Sequence, residues 1–152
     1  MDSFQIRQAL KRLVKRYASP KVVIHHHILA WDQIADVLEL VLSEVKSKEE
    51  PHRAYFLICN TAVIASSGEH WVVIHIPLSG PPVEYFDPAG KGFDSFHLDP
   101  NRKINFKINR LRIQPTSSFT CGWFCLQFCK RRILGQSMEV ACEDMYLGNA
   151  FY

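Results

Sequence analysis

Hydrophobic residues change their spacing along this chain, and any fold it adopts must bury both patterns at once. From Trp31 to about Lys46, Ile34, Val37, Leu38, Val41, Leu42 and Val45 recur at intervals of three and four, the signature of one apolar helical stripe. Residues 54–61, 71–76 and 83–86 are instead short runs rich in aromatic and β-branched side chains. Ser66-Ser67-Gly68 and Pro77-Leu78-Ser79-Gly80-Pro81-Pro82 divide them. These read as strands of one sheet. From Cys121 to about Leu134 an apolar stretch runs into Lys130-Arg131-Arg132 and closes on Gly135, which suits a helix buried at its start and basic at its end. Helices, then strands, then a central buried helix predict an α+β class with a small mixed sheet.

The flanking segments are less regular. Ser3 is positioned to cap a helix whose stripe is Phe4, Leu10, Leu13, Val14 and Tyr17, and which Ser19-Pro20 ends. Residues 22–28 form a β-branched run interrupted by His25-His26-His27, of open class, so residues 1–50 are expected to be mainly helical. The run 46–51, Lys-Ser-Lys-Glu-Glu-Pro, breaks the second helix. Residues 93–110 read as loop with a short helix, and Leu111-Arg112-Ile113 as one more strand.

Size and charge exclude several classes. A chain of 152 residues, 47% hydrophobic and 22% charged, supports one apolar core, so residues 1–152 are read as a single domain. No apolar run approaches the ~20 residues that cross a bilayer. Met1-Asp2-Ser3-Phe4 does not open a signal peptide, so the chain is expected to be soluble and intracellular, without membrane contact. A net charge of +3 permits a polyanionic partner without demanding one. Five cysteines, an odd number without scaffold-like spacing, point to free thiols in a reducing compartment.

One constellation can carry chemistry. If residues 71–76 and 83–87 pair as an antiparallel hairpin around the six-residue turn, Ile76 faces Val83 and Val72 faces Asp87. His70 then lies diagonal to Asp87 on the same face, at a separation of ~7–8 Å that two side chains bridge. A slip of one residue separates them. Cys121 stands where the buried helix begins, beside unpaired backbone N–H groups and the positive end of the dipole, which favour thiolate. A thiolate beside an imidazole whose other nitrogen meets a carboxylate is an activated nucleophile. The Cys121 N–H and the side-chain amide of Gln114, seven residues earlier, are candidate oxyanion donors. Spacing alone does not select this set, because five cysteines and seven histidines offer many pairings.

The ordered set Gly68-x-His70-Trp71, Tyr85-Phe86-Asp87-Pro88, Gln114 and Cys121-Gly122 resembles the adenovirus-type (adenain-like) cysteine endopeptidases. Asn60-Thr61-Ala62 and Cys-Gly-x-Phe-Cys at 121–125 extend the likeness, which covers residues 54–130. The same catalytic order belongs to the proteases of ubiquitin-like proteins, in the same clan. The resemblance implies a papain-like site layout and a catalytic core at residues 54–134. It makes Cys121 the nucleophile, His70 the general base and acid, Asp87 its orienter and Gln114 the oxyanion donor, with Trp71 covering the imidazole.

It also implies a monomer in the host nucleus or the virion, acting on viral structural precursor proteins during particle maturation. No metal or organic cofactor is required; an activating peptide, DNA, or both are the accessories the family suggests. The adenoviral acid is Glu where this chain has Asp87, and no cysteine lies between Asp87 and Cys121 to tether a peptide by a disulfide. Two other functions remain open: deconjugation of a ubiquitin-like modifier, and a non-catalytic basic DNA-binding or structural domain.

Simpler readings account for the remaining candidates. Cys125 and Cys129 continue one helix face from Cys121 and suit a core; eight helical residues span ~12 Å, too far for one zinc ion to join all three. The three consecutive histidines suit a plain strand, and His75 a packing or surface position. Lys11-Arg12, Lys15-Arg16, the basic residues from Lys103 to Arg112 and Lys130-Arg131-Arg132 suit solvated faces, with DNA contact the sharper alternative.

Overall fold

The computed structural model describes residues 2–17, 22–47, 52–61, 70–90, 95–114 and 121–149. The expected helix stop at Ser19-Pro20, the breaker residues beyond Ser47, the divider Ser66-Ser67-Gly68, Ala62, Phe93 and Thr120 lie outside them.

Helix α1 (Ser3–Tyr17) is capped by Asp2 rather than Ser3. The Gln5 N–H donates to Asp2 Oδ1 at 2.8 Å and the Asp2 N–H donates to Gln5 Oε1 at 3.0 Å, a reciprocal capping pair. Its core-facing residues are Ile6 and Leu10, one turn apart, whereas Phe4 is exposed. The next segment, whose class the sequence left open, is a strand, β1 (Val22–Ala30), the plain-strand placement that its three histidines suited. A single 3-10 turn, Trp31–Gln33, leads into α2 (Ile34–Ser47), where Ile34, Leu38 and Val41 are buried as their spacing predicts.

β2 (His52–Asn60), β3 (Trp71–Ile76) and β4 (Val83–Phe86) are the three expected strands, with β2 beginning two residues early. A short helix α3 (Ser95–Leu98) follows, and then β5 (Phe106–Ile108). The expected strand at Leu111-Arg112-Ile113 is absent; those residues turn away to wrap the segment after β4, with the Ile113 N–H on the Pro88 carbonyl at 2.9 Å. The chain closes with α4 (Cys121–Ile133) and α5 (Met138–Tyr146). Gly135, at φ +97°, ends α4: its N–H meets the Arg132 carbonyl and the Gln136 N–H the Arg131 carbonyl, a Schellman closure only glycine adopts easily.

The sheet runs β1-β2-β3-β4-β5, with parallel pairs at both edges and antiparallel pairs between. Helices cover both faces, so β3 is buried along its whole length rather than alternating. On one face Phe56, Ile58, Trp71, Val73 and Phe86 pack with Ile6 and Leu10 of α1 and Cys125 and Phe128 of α4. On the other, Tyr55, Leu57, Val72, Ile74 and Tyr85 pack with Ile34, Leu38 and Val41 of α2. Cys59, Cys125 and Cys129 are wholly buried, and burial pushes each thiol far above its usual pKa. Among the described residues no helix is long and apolar enough to cross a membrane.

Candidate active site

The hairpin forms in the predicted register, with Val73 opposite Phe86, Ile74 opposite Tyr85 and His75 opposite Glu84. His70 immediately precedes β3 and Asp87 immediately follows β4, so both emerge at the same end of the sheet. His70 Nε2 and Asp87 Oδ1 are 2.6 Å apart. Asp87 is buried, whereas the His70 side chain is 20% exposed, which gives a shielded carboxylate beneath an imidazole open to solvent on one side.

With Nε2 committed to Asp87, Nδ1 is the nitrogen left for the Cys121 thiol, which is hydrogen-bonded to His70. Cys121 is the first residue of α4, and that helix packs on β3 beside the hairpin end. One turn along, the Cys125 thiol donates to the Trp71 carbonyl at 3.3 Å and ties the start of α4 to the residue after His70. Trp71 is a buried core residue.

The electrostatics follow from these contacts. The hydrogen bond to Asp87, and next the one to Cys121, raise the His70 pKa from 6.5 to about 9 against the opposing pull of burial. Burial by itself would raise the Cys121 thiol; the hydrogen bond with His70 and contacts from the backbone of Trp71 and Gly122 outweigh it, and its pKa is lowered. Both shifts favour the charged forms, an imidazolium beside a thiolate.

Gln114 is buried in the segment that follows β5. Its N–H and that of Ile113 donate to the Pro88 carbonyl at 2.7 and 2.9 Å, so Gln114 is held one residue from the acid. The Asp87-Pro88-Ala89-Gly90 stretch is a tight turn closed by the Gly90 N–H on the Asp87 carbonyl at 3.0 Å. Gly90 has φ +63°, and a Cβ there would stand 3.3 Å from Arg112 Cα, a tight contact with the strap carrying Gln114 on top of the strained φ.

Two sets of contacts around the hairpin escaped sequence reasoning. Asn109 hydrogen-bonds both backbone groups of Asp87. His75, expected to be a packing or surface residue, is buried: its Nδ1 lies 2.6 Å from Glu84 Oε1, and Arg132 of α4 donates from Nε and Nη2 to both Glu84 oxygens at 2.8 and 2.9 Å. The signal for this network was Glu84 itself, a carboxylate in an otherwise apolar strand, which burial permits only with charged or donor partners. The His25-His26-His27 run belongs to β1, where His25 stacks on Tyr55 and burial, first among several causes, lowers the His26 pKa.

No protein-family model matches the chain, and no curated protein matches it. Among solved structures, the pS273R protease of ASFV matches with a TM-score of 0.59 and 18% identity, over 99% of this chain and 62% of that one. The SUMO protease Ulp1, solved with its catalytic cysteine oxidised to a sulfinic acid, matches with a TM-score of 0.57 and 12% identity, over 97% of this chain and 78% of the other. The chain thus spans about 62% of the length of the ASFV protease it matches. Its strand order, its central helix and these two likenesses agree: the chain has the α+β, papain-like fold of the Ulp1 and adenain-like cysteine proteases.

Proposed function

We propose that this chain is a cysteine endopeptidase in which Cys121 is the nucleophile, His70 the proton carrier, Asp87 its orienter and Gln114 an oxyanion donor. The observation that carries the reading is His70, bonded to Asp87 at 2.6 Å and hydrogen-bonded to Cys121 at the start of a buried helix. The Cys121 thiolate attacks the scissile carbonyl carbon, and the carbonyl electrons move onto oxygen. The Cys121 N–H at the helix start and the Gln114 amide are the donors suited to that oxyanion. Collapse of the intermediate breaks the C–N bond while the His70 imidazolium gives its proton to the leaving amine. A water molecule then attacks the thioester, His70 takes its proton, and collapse breaks the C–S bond to release the acid product and the Cys121 thiolate beside a protonated His70.

The substrates in this reading are structural precursor proteins of a virus or virus-like element, cleaved in the nucleus or the particle. The motif resemblance to adenain-like enzymes and the fold likeness to the ASFV protease support it. The likeness to Ulp1 favours a second reading, removal of a ubiquitin-like modifier. Accessory DNA or a noncovalent peptide activator remains part of the proposal, with the basic residues of α1 and β5 as the surfaces to test.

An alkylating probe at neutral pH tests the chemistry. Rapid modification confined to Cys121, abolished in Cys121→Ala and slowed in His70→Ala, is the expected result. Equal, slow modification of several cysteines would show that no activated thiol exists and would favour a non-catalytic basic domain. Cleavage of precursor-derived peptides, set against modifier-derived fluorogenic substrates, separates the two proteolytic readings.

A further inference from the structure

β4 ends at Phe86, and the parallel ladder on its outer side ends with Tyr85 opposite Ile108, so Asp87 has no strand on that outer side. Asn109, the residue after β5, substitutes for that strand with its side chain. Its Oδ1 accepts the Asp87 N–H at 2.8 Å, and its Nδ2 donates to the Asp87 carbonyl at 2.8 Å. The second Nδ2 hydrogen goes to the Leu111 carbonyl at 2.9 Å. One amide face thus meets a donor and an acceptor at once, which allows only one orientation of the Asn109 amide.

Consequences reach the carboxylate directly. Asp87 Oδ1 accepts the Ala89 N–H at 2.9 Å and pairs with His70, so the carboxylate's aim depends on how the 87–90 turn is seated. The bond to Leu111 also joins Asn109 to the strap that carries Ile113 and Gln114 back onto Pro88. Acid and oxyanion donor therefore hang from one side chain.

We infer that Asn109 is a positioning residue: its amide seats the main chain of Asp87 so that the carboxylate points at His70, and couples that setting to the segment bearing Gln114. This rests on the proteolytic reading for its catalytic consequence, but the effect on His70 is independent of it. Asn109 touches no reacting atom; it acts through Asp87.

The test compares the full-length wild type with Asn109→Ala, Asn109→Ser and a stability control, Leu98→Ala, a buried residue of the opposite face. His70 is titrated by NMR in each, and kcat and KM are measured on a peptide substrate. Asn109→Ala is expected to weaken the proton affinity of His70 about tenfold or more. The same change is expected to lower kcat about tenfold while KM stays within about twofold. Asn109→Ser, which keeps a hydroxyl able to make one of the bonds, falls between and serves if the alanine variant does not fold. Leu98→Ala lowers the melting temperature without moving the His70 titration. An unchanged His70 titration in folded Asn109 variants, or an equal change in Leu98→Ala, overturns the inference. If the wild type neither cleaves peptides nor shows a reactive Cys121, the proteolytic reading fails, and the titration still decides the role of Asn109.

Discussion

Removing the Cys121 sulfur should expose the His70–Asp87 pair as a pH-dependent contribution to stability. Folding raises the His70 pKa from 6.5 to about 9, so the pair's contribution is fully present below pH 6.5 and is lost as pH rises through the folded value. Cys121 acts in the opposite sense: its lowered pKa adds stability above the ordinary 9.0, and this is lost as pH falls through the folded value. In the intact site the two slopes oppose each other across the same window. In Cys121→Ala only the histidine's remains.

Its ceiling is about 3 kcal/mol, taking about 1.36 kcal/mol for each tenfold change in proton affinity. Solvent contact at the half-buried imidazole and the lost sulfur bond reduce this to about 1–2 kcal/mol. Urea unfolding of Cys121→Ala and of Cys121→Ala with Asp87→Asn, at about pH 6, 7.5 and 9, reads it out. The single variant should lose about 1–2 kcal/mol across that range relative to the double variant, all other titrations being common to both. Parallel stability profiles would refute the claim that Asp87 is what holds the proton on His70.

Three further outcomes follow from the same contacts. Gln114→Ala should lower kcat by roughly 10²–10³ and leave the alkylation rate of Cys121 unchanged, because an oxyanion donor acts only after attack; slowed alkylation would assign Gln114 to thiol activation instead. Gly90→Ala, at φ +63° and against Arg112, should cost about 1–2 kcal/mol in urea unfolding, and wild-type stability would remove the turn from the account. Arg132→Met should cost about 3–5 kcal/mol by leaving the Glu84 carboxylate buried with only His75, and Glu84→Gln in that background should recover part of the loss. A strictly additive double-mutant cycle would argue against a coupled pair.

Legibility in the sequence tracked the separation of the partners. The β3–β4 hairpin was readable, register included, because its two strands lie six residues apart and both faces demand apolar residues. The α2 stripe and the closure of α4 at Gly135 are local signals of the same kind. β1 was legible only through the plain-strand reading of its three histidines and not through its pairing, since its partner in β2 begins thirty residues later at His52. β5 has three residues, one of them Lys107, and exists because β4 offers it a parallel edge. Asn109 was invisible for the same reason: nothing in its own neighbourhood announces a bond to a residue 22 positions earlier. The stripe assigned to α1 failed in detail because Phe4, at the helix start, finds no neighbour to cover it, while Ile6 does.

The placement of Cys121 against His70 depends on both ends of α4. At its start the Cys125 thiol bonds the Trp71 carbonyl, which fixes the helix to the first residue of β3. Three turns on, Arg132 grips Glu84 of β4 through two bonds, and Glu84 in turn pairs with His75 of β3. Between them Phe128 stacks on Phe86 at 4.4 Å, so the same two strands that present His70 and Asp87 also carry every one of these anchors. A helix fixed at one end alone pivots, and a displacement of ~1 Å at a reacting atom costs on the order of 10²-fold in rate. The ion pair of half-buried Arg132 with buried Glu84, which contributes little net stability as a pair, is therefore best understood by where it stops the helix from moving.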